Sequence, residues 1–64
     1  MTLKELRQTK GLTLKALGAA SGVHPVKISQ YESGTLNIEN MSLKNAARLA
    51  DALGCDPRDF LKEG

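Results

Sequence analysis

The stretch Ser21-Gly22-Val23-His24-Pro25-Val26-Lys27-Ile28-Ser29-Gln30-Tyr31-Glu32-Ser33-Gly34, SGVHPVKISQYESG, decides how this chain is read. A proline at residue 25 suits the first position of a helix, where φ is already helical and the missing N–H costs no intrahelical bond. Gly34, after Glu32-Ser33, reads as a left-handed helix terminator. The punctuation therefore predicts a short helix over 25–33. At 100° per residue, Ile28 and Tyr31 share one face, with Glu32 at its edge. Val26 and Gln30 point the other way, Ser29 and Ser33 to one flank, and Lys27 to the other. A face that only had to stay soluble would carry charge. This one carries a valine and a glutamine, and no acid.

Outward from that helix, the chain is punctuated for helices throughout. Thr13 is placed to cap a second helix with apolar residues Leu14, Ala16, Leu17 and Ala20, stopped at Gly22. Gly18 lies inside it at a cost of ~1 kcal/mol relative to alanine, which points to a close packing contact. Two helices joined by about four residues with a glycine at the joint fit a helix-turn-helix. Before them, Thr2 and Glu5 form a capping box ahead of Leu3 and Leu6, and Gly11 ends that first helix. After them, Ser42 caps a fourth helix whose Leu43, Ala46, Ala47, Leu49, Ala50 and Leu53 are read as one apolar stripe, closed by Gly54. Asp56-Pro57-Arg58-Asp59 opens a fifth. Segment 35–41 has no helix signals and reads as a loop over the core, with Leu36, Ile38 and Met41 as its apolar residues. The expected class is all-α, a five-helix bundle.

Composition narrows the functions. The chain has 64 residues, and a domain of about that size buries only ~60% of its unfolded surface, which leaves little room for a deep substrate pocket. Residues 1–64 are expected to form one domain. One cysteine and one histidine are too few for a disulfide or a zinc module. No histidine–acid pair stands ready to activate a serine, so no catalytic residue, metal or cofactor is expected. Cys55 reads as a small hydrophobe. There is no apolar run of ~18 residues and no basic-then-apolar leader, so a soluble cytoplasmic protein without membrane contact is expected. Net charge is +2, but residues 1–31 carry five cations against Glu5 alone, whereas 32–64 carry four against six acids. A basic half points to a polyanionic partner.

Leu17, Gly18, Gly22, Val23, Ile28 and Tyr31, followed by Glu32-Ser33-Gly34, resemble the helix-turn-helix of the phage repressor and Cro family of bacterial and phage regulators. LKELRQTKGLT (3–13) is similar to that family's first helix, and LKNAARLADALGCDPRDFL (43–61) to its fourth and fifth. The resemblance implies a compact repressor-like fold whose second motif helix enters the major groove of double-stranded DNA. Carried over by position, it implies Pro25, Val26 and Gln30 at the bases. It places His24, Lys27, Ser29, Lys10 and Lys15 toward the phosphates. Glutamine pairs bidentately with adenine, valine meets a thymine methyl, and lysine neutralises phosphate. The resemblance also implies an ion pair between Arg7 and Glu32 that fixes the reading helix to the scaffold.

Three departures from the family pattern bear on affinity, the first being that Pro25 removes a backbone donor that could have met a phosphate. Leu14 stands where glutamine often braces the start of the second helix, and Thr35-Leu36-Asn37, then Glu39, replace the basic residues often found after the third. The expected function is a sequence-specific DNA-binding transcriptional regulator, a repressor acting as a homodimer on half-sites about one helical turn apart. The alternative is the same fold used as an antitoxin-like or adaptor module of weak DNA affinity. It would meet a protein partner through loop 35–41 if Leu36, Ile38 and Met41 were exposed together.

Overall fold

The computed structural model describes residues 2–61. Helix α1 spans Leu3–Thr9, α2 Leu14–Ser21, α3 Pro25–Ser33, α4 Leu43–Leu53 and α5 Arg58–Leu61, with a 3-10 turn at Ile38–Asn40. Among the described residues there is no strand. The fold is the all-α bundle with α2 and α3 as its helix-turn-helix.

Helix starts are held by side chains that satisfy amides the helix itself leaves free, at ~1 kcal/mol each. Thr2 Oγ1 accepts the Glu5 N–H at 3.1 Å, and Glu5 Oε1 accepts the Thr2 N–H at 2.9 Å, closing the capping box. These bonds to Thr2 hold the Glu5 carboxyl below its ordinary pKa. Thr13, Ser42 and Asp56 accept from Ala16, Asn45 and Arg58 in the same way. At the joint between α2 and α3 the chain must reverse within three residues. Gly22 does so at φ +79°, a region that a β-carbon makes costly.

The core draws buried apolar residues from every α-helix, four of them from α4. Leu3, Leu17, Ile28, Leu49, Leu53 and Phe60 are its largest fully buried side chains. Helix α2 packs against both α3 and α4, while α1 packs against α3 and α5. The motif thus rests on a scaffold that touches it from two sides.

Two sequence expectations, the apolar stripe of α4 and the loop at 35–41, need correction. Leu43 and Ala47 do not belong to the buried stripe of α4: Leu43 is 82% exposed, and the stripe is Ala46, Leu49, Ala50 and Leu53. At 100° per residue Leu43 lies roughly 70° from the centre of that set, and no earlier turn covers it. On α2, Ala16 and Ala20 face solvent, and Leu17, Gly18 and Ser21 form the inner edge. Segment 35–41 contains a helical turn, started by Asn37 Oδ1 accepting the Glu39 N–H at 2.9 Å. Its isolated three residues leave no periodicity to detect. Leu43→Lys is expected to change stability by no more than about 0.5 kcal/mol, as measured by urea unfolding.

Candidate nucleic-acid interface

Geometry at the start of α3 follows from three adjacent residues. Val23 is buried. His24 is the N-cap, with backbone φ −58° and ψ 134°, and its Nδ1 accepts the Val26 N–H at 3.1 Å. Pro25 occupies the first helical position, and its ring lies over Gly18 of α2. A β-carbon added to Gly18 would stand 2.7 Å from Pro25 Cγ and 3.0 Å from the Val23 carbonyl oxygen. The mid-helix glycine therefore has its packing reason: the two helices meet there with no space for a methyl group.

At the other end, Arg7 of α1 holds α3 with a fork. Arg7 Nε donates to Glu32 Oε2 at 2.7 Å, one terminal nitrogen donates to Glu32 Oε1 at 3.1 Å, and the other donates to the Leu12 carbonyl at 2.8 Å. The two side chains are only 13% and 8% exposed. Hydrogen bonding to the Glu32 carboxylate raises the Arg7 pKa above its ordinary value, against the opposing effect of burial and with the help of the neighbouring charge. Planar guanidinium suits this bidentate grip in a way that an ammonium does not. The sequence reading named Arg7 and Glu32 but missed the third bond, to the α1–α2 turn. Leu12 follows Gly11, and a carbonyl freed by a helix terminator was the available signal.

This pairing has an electrostatic consequence. Glu32 is the only acid of α3, and it is turned inward onto a cation. No Asp or Glu occurs anywhere in residues 6–31. The outward surface of α3 is thus free of negative charge. Val26 is 57% exposed there, Lys27 is exposed, and Ser29 and Gln30 are half-buried. The Gln30 backbone carbonyl accepts from the Leu36 N–H and the Ser33 hydroxyl, which secures the helix end without using the side-chain amide.

The other expected contact residues are dispersed. Lys15 is exposed on the first turn of α2. Pro25 is half-buried because one side of its ring is taken by Gly18. Lys10 ends α1 and reaches the far end of α4, its ammonium 3.7 Å from where a β-carbon on Gly54 would sit. A cation is favoured there by the partial negative charge of a helix C-terminus. Ile38 and Met41 are each 7% exposed and belong to the core, while Leu36 is half-buried, so the three are not exposed together as one outer patch.

An open groove of about 460 Å³ runs between the start of α1 and the end of α3, over Leu3, Lys4, Tyr31, Glu32 and Ile38. Its charged groups are Lys4 and the already paired Glu32. Cys55 lies elsewhere and is half-buried; burial, then Asp59 and Asp56, push its thiol pKa up, away from nucleophilic use. No group of three metal-ligating side chains comes together among the described residues. No described helix is long and apolar enough to cross a membrane.

A pair of helices locked at Gly18 and Pro25, the second held by a buried fork and presenting an acid-free face, defines a helix-turn-helix protein. Residues 3–60 match the family model described as Helix-turn-helix, of the Cro/C1 type, and the chain belongs to this family. The family is one of DNA-binding regulators rather than enzymes, and its partner is double-stranded DNA. Comparison with curated proteins and with solved structures finds no match.

Proposed function

We propose that this chain is a transcriptional repressor that reads duplex DNA with α3 in the major groove and binds as a homodimer to paired half-sites. The observation that carries the reading is the outer face of α3. Its single carboxylate is turned away and neutralised, and an exposed valine, a lysine and a glutamine amide are left facing outward. Such a face suits base edges, which offer both hydrogen-bonding groups and thymine methyls. Gln30 and Val26 read bases in this proposal, with the free edge of Pro25 beside them. Lys27, Lys15, Ser29 and His24 meet the backbone. Lys10 is less suited, because its ammonium lies beside Gly54 at the end of α4.

Selection from a random duplex library tests binding, base preference and half-site spacing together. A repeated motif in two copies about 10 base pairs apart is the expected outcome. A library that returns no motif at low salt overturns the proposal.

Reading and holding separate by mutation. Gln30→Ala should weaken the selected site by ~1–3 kcal/mol and relax one base per half-site. Lys27→Ala should weaken all duplexes about equally and reduce the slope of log K against log[salt] by about 1. Neither change should lower thermal stability, since both side chains lie away from buried Ile28. A Gln30→Ala protein with unchanged base preference would remove Gln30 from the reading face.

A further inference from the structure

We infer that Val26 senses the 5-methyl group of a pyrimidine and nothing else on that base, so that 5-methylcytosine supplies the contact as well as thymine does. The inference rests on the DNA-binding reading of α3 and deepens it. Among the described residues, the exposed large apolar side chains are Val26 and Leu43, and Val26 alone lies on α3. On a face that meets base edges, an isopropyl group has one apolar partner available, the methyl group that thymine carries into the major groove.

The atoms around Val26 decide what this contact leaves unread. Pro25 has no N–H, and the Val26 N–H is taken by His24 Nδ1 at 3.1 Å, so the first two amides of α3 offer a base no donor. Ser29 follows one turn on and is half-buried. Its hydroxyl both donates and accepts, and so it suits the acceptor of thymine and the amino group of cytosine alike. Gln30 reads a different base. Four residues of helix separate it from Val26 by ~6 Å, the height of about two base pairs.

Thymine and cytosine differ on the major-groove edge in two ways: an acceptor against a donor, and the methyl group. With no committed donor or acceptor beside Val26, only the methyl group is sensed there. Uracil and unmodified cytosine both lack it. Methylation of one cytosine per half-site therefore strengthens binding to a duplex that otherwise lacks the contact, which gives the protein a response to modified DNA.

The test uses the full chain and the duplex returned by random selection. Each thymine of the motif is exchanged singly for uracil, which removes a methyl group and keeps every hydrogen-bonding atom. One exchange per half-site should weaken binding about fourfold, the worth of burying one such group. That position should lie about two base pairs from the base that Gln30→Ala relaxes. There, the gain from cytosine to 5-methylcytosine should equal the gain from uracil to thymine, each comparison keeping its own partner base. Val26→Ala should lose both gains with an unchanged thermal midpoint, since the side chain is 57% exposed, whereas Gln30→Ala should keep them. A motif without a methyl-sensitive pyrimidine, a gain confined to thymine, or a methyl preference that survives Val26→Ala overturns this inference and leaves the DNA-binding reading standing. A library that returns no motif overturns both.

Discussion

Glu32→Gln is expected to cost about 3 kcal/mol of folding free energy, the lower edge of the range for stranding one charge of a buried pair. The lower edge applies because Arg7 keeps two routes of relief. It retains its bond to the Leu12 carbonyl, and its side chain is still 13% exposed to water. Glutamine keeps the size of glutamate and one acceptor, so the loss reports charge rather than volume. In a domain of this size it corresponds to a fall of roughly 12 °C or more in the thermal midpoint. Arg7→Met should cost at least as much, since it leaves the Glu32 carboxylate part-buried on α3 and also frees the Leu12 carbonyl. The double variant Arg7→Met/Glu32→Gln should be less destabilised than the sum of the two singles, because neither leaves an unpaired charge behind. Urea unfolding of the four proteins measures this coupling. Small additive losses, each below about 1 kcal/mol, would reduce the fork to an ordinary surface pair.

The ease of reading this chain differed by residue for physical reasons. Helix ends were legible because the signals are local: Pro25 and the glycines at 11, 22, 34 and 54 act on their own backbone, and each stands at a boundary in the structure. Leu43 was misread because periodicity says which residues share a face but not how far the neighbouring helix extends to cover it. The Arg7–Glu32 fork joins residues 25 apart in sequence, and no local pattern links such positions; only the family resemblance brought them together. His24 lay between these cases. Its place before proline announced the extended backbone of a cap, yet the capping role of the ring needed coordinates, since histidine is not among the favoured N-cap residues. The loop at 35–41 shows the same limit: its apolar residues were visible, and only packing decided that Ile38 and Met41 turn inward.

Gly18→Val should destabilise the domain by about 3 kcal/mol, the upper end of the range for overpacking a well-filled contact. The β-carbon alone would stand 2.7 and 2.9 Å from two ring atoms of Pro25 and 3.0 Å from the Val23 carbonyl oxygen. Neither neighbour is a flexible side chain that can swing aside. The proline ring is closed on its own backbone, and the carbonyl belongs to the turn, so relief requires α3 to move relative to α2. Alanine brings the same β-carbon but recovers ~1 kcal/mol of helix propensity, so Gly18→Ala should lose only about 1 kcal/mol. Valine adds two methyl groups and gives most of that propensity back. Pro25→Ala in the Gly18→Ala background removes the two ring atoms and should restore part of the loss, but not all, because the Val23 carbonyl stays in place. This recovery against Pro25→Ala alone forms a double-mutant cycle on the contact that sets the helix-turn-helix. At temperatures where Gly18→Ala remains folded, its duplex affinity should still fall below wild type, since a displaced α3 no longer offers Val26 and Gln30 at the original angle. A Gly18→Val protein as stable as wild type would mean that the two helices meet with slack, and that the geometry of α3 is set by the Arg7 fork alone.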